Sequence, residues 1–479
     1  MPAGDASAPA AEEVAVASAV SSASRIHRQE MGVDHTRQSR WHPCVPGALA
    51  GCLLLLAAPA VQAAEAAPPK PVVNRWSAVI YGFAELDAIH DSVQGPNDLM
   101  GNAALPRSGS YAATHDQTTF SVRNSRLGLK VGAPDLGPLR ASAVAEMDFF
   151  GNQPPVSEAA FFNNPTFRIR HFYFKVETPV VDLTIGQTWE LFGWQAYFIP
   201  ASVNLQGLPG QVYSRTAQVR VSKTLELSTD VNLELALAAL RPPQRAGGLP
   251  DGQAGVKVNL PFRKGYRTLG GASSALDAMA LGVSGTVRRF AVPAFEPNAK
   301  TDVTTTGWGV SVDVLVPIIA ASSTSHDNAL TFTGSFVRGE GISDLYTGLG
   351  GPPFPPLPGT PSTPYTAPID PGLVGFDAGG NLHAVSYQTF LLGLQYWLPG
   401  STGLSLAANY SHLQSFNAAV LANGNKNVVV RQQYASGAVF WDAAQPIRFG
   451  LEFAWLEHHF TDGPPSVDRR VQLSGWYVF

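Results

Sequence analysis

The last ten residues of the chain, Arg470 to Phe479, read RVQLSGWYVF and decide the fold. Every second residue of this segment is apolar or glycine: Val471, Leu473, Gly475, Tyr477 and Phe479. The residues between them are mostly polar: Arg470, Gln472, Ser474, Trp476 and Val478. Because successive side chains of a β-strand point to opposite faces, the pattern predicts a strand with lipid on one face and water on the other.

The same alternation recurs upstream, and the chain divides into about sixteen such segments, the even number expected of a bacterial membrane barrel. Connections after even-numbered segments are mostly short, such as Glu177–Val180, and those after odd-numbered segments are mostly long. Short turns at one end and long loops at the other are typical of outer-membrane barrels. The sequence therefore predicts an all-β fold, a sixteen-stranded antiparallel transmembrane β-barrel. A secreted soluble β-domain is the alternative, but it would not sort its loops in this way.

The composition fits an alternating membrane chain. Of 479 residues, 45% are hydrophobic and only 14% are charged, against about a quarter charged in a typical soluble domain. No apolar run in the body of the chain is long enough for a transmembrane helix. Without residues 1–63 the chain is nearly neutral, which argues against nucleic acid as a partner.

The first 63 residues are predicted to be a leader with a signal peptide. Arg37 and Arg40 precede an apolar segment, Val45 to Ala60, of the length of a signal-peptide core. Cleavage after Ala63 would make Ala64 the first mature residue, and both Met1 and Met31 remain candidates for the start. Residues 64–76 are then a short periplasmic segment, too short for a plug domain, and residues 77–479 form the barrel.

Both cysteines of the chain, Cys44 and Cys52, lie in this leader. Leu49 to Cys52 matches a lipidation signal, but four leucines follow it, so we interpret it as the middle of the signal peptide. The mature chain then has no thiol, no disulfide and no cysteine ligand for a metal.

Charged side chains alternate along the first six strands and are predicted to line the pore. The positive ones are Arg126, Arg168, Arg170 and Arg220. The negative ones are Glu85, Asp87, Glu146 and Asp148. Opposed charges across a constriction set the ion preference of a pore. The alternative is that the arginines pair with Glu146 and Asp148 and only satisfy a water-filled wall.

The stretch from Glu190 to Tyr213 is long and rich in Gly, Pro and aromatic residues, and it follows the fifth strand. Because barrels of this strand number leave an aqueous channel, we expect this third long loop, with Glu190, to fold inward and narrow it. The aromatic residues in and beside this loop are Trp189, Phe192, Trp194, Tyr197 and Phe198. They could form a stacking track for sugars or aromatic acids, or they could pin the loop to the wall. We favour the second interpretation.

Six short motifs resemble bacterial outer-membrane porins, and among them the DcaP-like trimeric porins: Asn124–Lys130, Ala145–Gly151, Phe167–Tyr173, Leu183–Trp189, Arg215–Arg220 and Trp476–Phe479. The resemblance implies a homotrimer in the outer membrane of a Gram-negative bacterium that passes small hydrophilic solutes by passive diffusion, with small anions such as dicarboxylates preferred. It also implies contact with outer-membrane lipid and lipopolysaccharide, and reading of the terminal Phe479 by the barrel-assembly machinery.

An outer-membrane hydrolase is the alternative from another functional class. Ser405, Asn409 and His412 are close in sequence, but His412 has the opposite parity, so the three cannot form one hydrogen-bonded set on a regular strand. His458 and His459 beside Glu457 are a weak metal motif at a strand end. We therefore predict no enzymatic activity, no metal and no cofactor.

Two further features remain open in the sequence. Strand parity places His171 towards lipid, which is costly for a polar group and suggests a subunit contact, unless the register is shifted by one residue. The Pro- and Gly-rich segment from Gly339 to His383 is predicted to be a loop, over the pore mouth or on a neighbouring subunit.

Overall fold

A computed structural model describes residues 75–100, 104–134, 136–151, 166–204, 207–242, 249–269, 273–297, 299–322, 325–347, 369–370 and 372–479. The predicted leader, nearly all of residues 64–76 and part of the loop between Gly339 and His383 lie outside these ranges.

These residues form a closed antiparallel barrel of sixteen strands, as predicted. The strands are β1 (Ser77–Asp91), β2 (Gln117–Ser121 and Arg126–Gly132), β3 (Arg140–Asp148), β4 (Arg168–Glu177), β5 (Asp182–Trp189), β6 (Arg215–Ser228), β7 (Val231–Leu240), β8 (Asp251–Leu269), β9 (Ser273–Pro293), β10 (Asp302–Ile319), β11 (Leu330–Glu340), β12 (Ser386–Trp397), β13 (Leu404–Ser415), β14 (Val429–Ala444), β15 (Ile447–Phe460) and β16 (Ser466–Val478). Both segments of β2 pair with β1.

Other regular structure is sparse and lies in the loops. Short helical turns cover Ala112–Thr114, Phe192–Trp194, Ser343–Leu345 and Ala418–Leu421, and a small hairpin joins Val374–Phe376 to Leu382–Ala384. Among the described residues, no helix has both the length and the apolar character needed to cross a membrane.

The last strand closes the barrel against the first. β16 pairs antiparallel with β1, with Phe83 opposite Val478 and Asp91 opposite Arg470. Arg470 Nε donates to Asp91 Oδ1 at 2.6 Å, and both side chains are 1% exposed. Closure leaves no unpaired strand edge. A sheet that spans a membrane requires this, because lipid offers no hydrogen-bond partner to a free backbone group.

The two faces of the strands follow the predicted alternation. On β16, Leu473 and Tyr477 are exposed whereas Gln472 and Ser474 are buried. The same holds on β1 to β3, where outward apolar side chains alternate with inward polar ones: Ile80, Leu86, Leu127 and Leu129 against Glu85, Asp87, Glu146 and Asp148. The fold therefore has a lipid-compatible exterior and a polar interior.

His171 points into the barrel and not towards lipid, so the alternative of a one-residue register shift is the correct one. The pairing of β3 with β4 shifts at Glu146, which lies opposite His171, while Met147 lies opposite Ile169. Arg170 is the extra residue of a β-bulge, so both Arg170 and His171 point into the barrel. His171 Nδ1 lies 3.1 Å from Thr188 Oγ1, and the ring is buried. A one-residue irregularity thus reverses the face of the residues that follow it on the strand.

Strands β8 and β9 are among the longest of the barrel. Beyond the Leu260–Met279 pair they continue to pair out to Leu269–Ser273. Because this connection follows an even-numbered strand, the extension lies at the end of the barrel with the short turns, which we call the short-turn end. In outer-membrane barrels this end faces the periplasm.

Candidate functional site: the constriction of the pore

Three of the predicted arginines lie on the inner wall formed by β2, β3 and β4. Arg170 Nε donates to Glu146 Oε1 at 2.8 Å, and its Nη1 donates to Asp148 Oδ2 at 3.0 Å. Arg168 Nη2 donates to Asp148 Oδ2 at 2.6 Å. Arg126 Nε lies 3.5 Å from Glu146 Oε1. The arginines and the two carboxylates therefore form one ion-pair network, which is the arrangement that the alternative interpretation described.

The members of this network differ in exposure, which separates their roles. Arg170 is 1% exposed, so its guanidinium interacts with its carboxylate partners inside the wall and is shielded from water. The side chain of Arg126 is 21% exposed and that of Arg168 is 33% exposed. These two arginines are therefore the members of the network whose charge is partly exposed.

The loop from Glu190 to Tyr213, which we call the inward loop, crosses the barrel interior to the opposite wall. Its first part is anchored on β9, where Ser284 Oγ accepts from Gly193 N at 2.8 Å. Its middle is anchored on β13 and β15: Asn409 Nδ2 donates to Ala201 O at 2.8 Å, and Ser202 Oγ donates to Glu452 Oε2 at 2.9 Å. The third long loop is thus folded inward, as predicted.

Aromatic residues of the inward loop pack into a row of glycines on β8, β9 and β10. A Cβ atom on Gly255 would lie 2.9 Å from the Trp194 ring, and one on Gly309 would lie 2.9 Å from the Phe192 ring. Trp194 Nε1 also donates to Val283 O at 3.1 Å, and Tyr197 OH donates to Ala278 O at 2.7 Å. With Phe198 buried beside them, these side chains pin the loop to the wall.

A cavity of about 200 Å³ lies between the inward loop and the wall of β2 to β4. The wall contributes charged and polar side chains: Asn124, Arg126, Glu146, Arg170 and His171. The loop contributes residues from Ala196 to Tyr213, including Ser202, Asn204 and Gln211, and Trp189 closes one side. We interpret this cavity as the constriction of the pore.

Two residues of this site were not singled out from the sequence. Arg215, at the start of β6, stacks over the rings of Trp189 and Tyr213 at 4.8 and 5.4 Å, and both rings line the cavity. Strand parity alone would point Arg215 outward. Its position next to the end of the inward loop was the only signal in the sequence. We call Arg126, Arg168, Arg170 and Arg215 the arginine cluster.

Asn204 is the second residue that was missed. Its side chain is buried and lines the cavity, and within the described part of the chain neither Oδ1 nor Nδ2 has a hydrogen-bond partner. A buried amide normally satisfies both atoms, so these two are available to water or to a solute in the cavity.

Tyr213 is the cavity residue with the most informative acid–base chemistry. Its hydroxyl accepts from Arg170 Nη2 at 3.4 Å. Burial alone would raise the pKa of this phenol, but the nearby guanidinium groups of Arg170, Arg215 and Arg126 outweigh burial and lower its pKa to about 8. The constriction can therefore gain a negative charge at mildly alkaline pH.

The remaining predicted pore residues lie inside the barrel but outside this cavity. Glu85 accepts from Asn124 Nδ2 at 2.7 Å, and Asp87 accepts from Ser474 Oγ at 2.5 Å, both between β1 and its neighbours. Arg220 donates to Trp189 O at 2.5 Å and is half-buried on β6. Glu190 lies on the β8 side, where it accepts from Gln253 Nε2 at 2.7 Å. Burial and the nearby carboxylate of Asp344 raise the pKa of Glu190 to about 7.

A second cavity, of about 550 Å³, adjoins the constriction on the side of the short-turn end. It shares Glu146, His171 and Trp189 with the first cavity. Farther along the same wall it is lined by Lys130 and Lys175, and Lys175 Nζ pairs with Glu177 at 2.7 Å. The two cavities together form a path along β1 to β5.

The motifs weighed for catalysis and metal binding do not assemble into such sites. Ser405 and Asn409 face the interior, whereas the ring of His412 stacks on Phe390 at 5.3 Å on the outer face. His458 is buried and its Nδ1 accepts from Leu105 N at 3.3 Å. Within the described ranges, no three His, Cys, Asp or Glu side chains lie close enough to hold a metal ion.

The comparisons with known proteins agree on the fold. No protein-family model matches the chain, and a search of curated proteins finds no similar sequence. Among solved structures, the outer membrane channel DcaP of Acinetobacter baumannii superposes with a TM-score of 0.61 at 19% identity, over 84% of this chain and 97% of that one.

Two other solved channels are more distant. An anion-selective porin from Comamonas acidovorans matches 85% of this chain and 100% of its own, with a TM-score of 0.47 at 10% identity. OmpF of Salmonella typhi matches 84% of this chain and 97% of its own, with a TM-score of 0.47 at 9% identity. The chain therefore has the fold of Gram-negative outer-membrane channels.

Proposed function

We propose that this protein is an outer-membrane porin, a passive diffusion channel for small hydrophilic solutes that prefers small anions such as dicarboxylates. It performs no chemistry on the solute. The inward loop limits the size of what passes, and the arginine cluster sets the preferred charge. The fold shared with outer-membrane channels supports the general role.

The observation that carries the anion preference is the charge balance at the constriction. The four residues of the arginine cluster face two carboxylates, Glu146 and Asp148, which leaves an excess of two positive charges. An excess charge next to a narrow aqueous passage concentrates ions of the opposite sign and repels those of the same sign. The unpartnered amide of Asn204 adds a neutral donor and acceptor for a solute that has shed part of its water.

The path beyond the constriction supports the same preference. Lys130 and Lys175 line the adjoining cavity together with Glu146 and Glu177, and Lys175 Nζ pairs with Glu177 and Asp182. An anion leaving the arginine cluster therefore next meets Lys130 on the same wall, while the charge of Lys175 is largely offset by its carboxylate partners. A weak site of this kind lets an ion enter and leave without being trapped.

The surroundings of the barrel follow from the same proposal. Its exposed apolar band lies in outer-membrane lipid and lipopolysaccharide, and the exposed Phe479 is the residue that the assembly machinery would read. We propose a homotrimer, as the DcaP-like resemblance of the sequence implies.

Planar-bilayer recording of the purified protein tests the proposal. We expect stepwise ionic conductance and, in a gradient of potassium chloride, a reversal potential of the sign produced by chloride permeation. Strong cation preference would overturn the anion preference and leave the channel intact. A folded protein that gives no conductance steps would overturn the channel itself.

One observation favours a narrower solute class, the aromatic carboxylates. The rings of Trp189 and Tyr213 remain at the cavity, with centroids 4.7 Å apart in an edge-to-face arrangement. An aromatic acid could stack there while its carboxylate faces the arginine cluster. Benzoate should then block the chloride current at a lower concentration than acetate does. If the two anions blocked the current at the same concentration, this narrower proposal would be wrong.

A further inference from the structure

The extension of β8 and β9 folds into the barrel instead of projecting from it. We call residues 264–269 and 273–278 the inner hairpin. Among the described residues it makes four hydrogen bonds to inward-facing side chains of the far wall: Thr331 Oγ1 to Tyr266 O at 3.1 Å, Thr268 N to Gln395 Oε1 at 2.8 Å, Gln395 Nε2 to Thr268 Oγ1 at 2.8 Å, and Arg448 Nη2 to Ser274 Oγ at 2.8 Å. These contacts lie on β11, β12 and β15. The hairpin therefore crosses the interior at the short-turn end.

A large bulge explains the bend. Met279 pairs with Leu260, but the preceding residue, Ala278, pairs with Lys264, so β8 has three extra residues, 261–263, between these two pairs. Bulges bend the strand and increase its local twist. Arg263, within the insertion, donates to Pro317 O and Ile318 O at 2.6 Å each and ties the bend to the end of β10.

The inner hairpin also supports the inward loop. Arg267 is buried, and its Nε donates to Asp277 Oδ2 at 2.7 Å across the hairpin. Its Nη1 donates to Ile199 O at 3.1 Å and to Ala196 O at 3.3 Å. Both carbonyls belong to the inward loop, so one guanidinium joins the two elements that enter the barrel.

We propose that the inner hairpin is a second constriction, which confines solutes to the side of the pore formed by β1 to β5 and holds the inward loop in place through Arg267. This inference rests on the proposed channel function. Its physical basis is the division of space at the short-turn end. The hairpin covers the walls of β11, β12 and β15, whereas no hairpin residue lines the cavity of about 550 Å³ along β1 to β5.

The consequence is a specific route for the solute. After the arginine cluster, an anion is led past Lys130 and Lys175 because the inner hairpin obstructs the side of the pore formed by β11, β12 and β15. Arg267 is a positioning residue in this scheme, since its side chain acts on the backbone of the inward loop and does not line the first cavity.

The first test removes the hairpin. Residues 265–277 are replaced by Asn-Gly, which forms a tight two-residue turn between antiparallel strands. With this obstruction removed, the single-channel conductance should rise, by roughly twofold if the open area doubles, because conductance follows the open area of the pore. A folded deletion variant with the conductance and selectivity of the wild type would overturn the proposal. Absence of any conductance in the wild type would instead refute the channel function.

The second test keeps the hairpin and therefore does not depend on the folding of a deletion variant. Lys130→Glu reverses a charge on the proposed route, and Lys223→Glu makes the same change at the same barrel end on the outer face of β6. Only Lys130→Glu should shift the reversal potential towards cation permeation. Equal shifts, or none at Lys130, would mean that solutes do not follow this wall.

The third test addresses Arg267. Arg267→Ala should increase the open-channel current noise, because the inward loop loses three hydrogen bonds, two at Ala196 O and one at Ile199 O. Arg263→Ala is the matched control, since Arg263 also donates to two carbonyls, those of Pro317 and Ile318 at the end of β10, and within the described residues none of its hydrogen bonds goes to the inward loop. Equal noise in the two variants would contradict the positioning role.

Discussion

Arg170 is almost completely enclosed by the barrel wall and donates to Glu146 over 2.8 Å. It also serves Asp148, so its removal would leave two buried carboxylates short of a partner. Breaking a buried pair by deleting one member costs about 3–5 kcal/mol. We therefore expect Arg170→Ala to lower the free energy of unfolding by about this amount. Guanidinium chloride unfolding in detergent micelles, followed by tryptophan fluorescence, measures the effect.

Arg168→Ala provides the comparison for Arg170→Ala. Arg168 pairs with the same Asp148, but a third of its side chain is exposed. Pairs that water can screen contribute about 1 kcal/mol or less. If both variants lost the same free energy of unfolding, burial would not explain the stabilising role of Arg170.

Arg126 should control selectivity more than stability. Its side chain is partly exposed to the cavity, and Glu146 keeps Arg170 and the Tyr81 hydroxyl as partners without it. A unit charge contributes about 1 kcal/mol to an ion 4 Å away in water, favourable for chloride and unfavourable for potassium. Arg126→Ala should therefore change each permeability by roughly fivefold and lower the chloride-to-potassium permeability ratio by up to roughly twenty-five-fold. Reversal potentials in a salt gradient give this ratio.

The conservative variant Arg126→Lys separates charge from geometry. It retains the positive charge but not the planar guanidinium, and its permeability ratio should stay near that of the wild type. A ratio as low as that of the alanine variant would show that Arg126 acts by shaping the wall and not by its charge.

The barrel was readable from the sequence because its cause is local. Each strand from Ser77 onward has lipid on one side and water on the other, and the alternation reports this directly. The loop from Glu190 to Tyr213 was also identifiable, since a barrel of this size needs an element that narrows it.

The features that could not be predicted from the sequence depend on irregular pairing between strands. The bulge at Arg170 moves His171 from the lipid face to the interior, and no residue type in that stretch signals an extra residue. The bulge at 261–263 likewise turns β8 and β9 inward, although Pro261 is the only local hint. Arg215 belongs to the site because the end of the inward loop places Tyr213 and Trp189 beside it, which is a tertiary relationship.

Tyr213 predicts a pH dependence of the selectivity. The pKa of its phenol is lowered to about 8, so the group is neutral at pH 7 and negatively charged at pH 9. Deprotonation adds a negative charge beside Arg170 and Arg215. The anion preference should therefore fall as the pH rises through about 8, again by up to roughly twenty-five-fold in the permeability ratio for one unit charge. Reversal potentials between pH 7 and pH 9 measure the change.

Tyr213→Phe is the control for this pH dependence because it keeps the ring and removes the ionisable hydroxyl. Glu190, whose pKa is raised to about 7, also becomes negative with rising pH, but it is unchanged in this variant. The step near pH 8 should vanish in Tyr213→Phe while any step near pH 7 persists. A step near pH 8 that survives the substitution would assign the titration to another group.

The glycine row under the inward loop predicts a steric way to displace the constriction. A Cβ on Gly282 would lie 2.7 Å from the Trp194 ring and 2.9 Å from the Phe198 ring, closer than atoms can pack. Overpacking of this kind costs about 1–3 kcal/mol. Gly282→Val should therefore lower the unfolding free energy by that amount and change the single-channel conductance, since the aromatic anchors of the loop must move. Gly252→Val is the control, because a Cβ on Gly252 meets no atom within 4 Å. If Gly282→Val conducted like Gly252→Val, the aromatic residues would not be what holds the constriction in place.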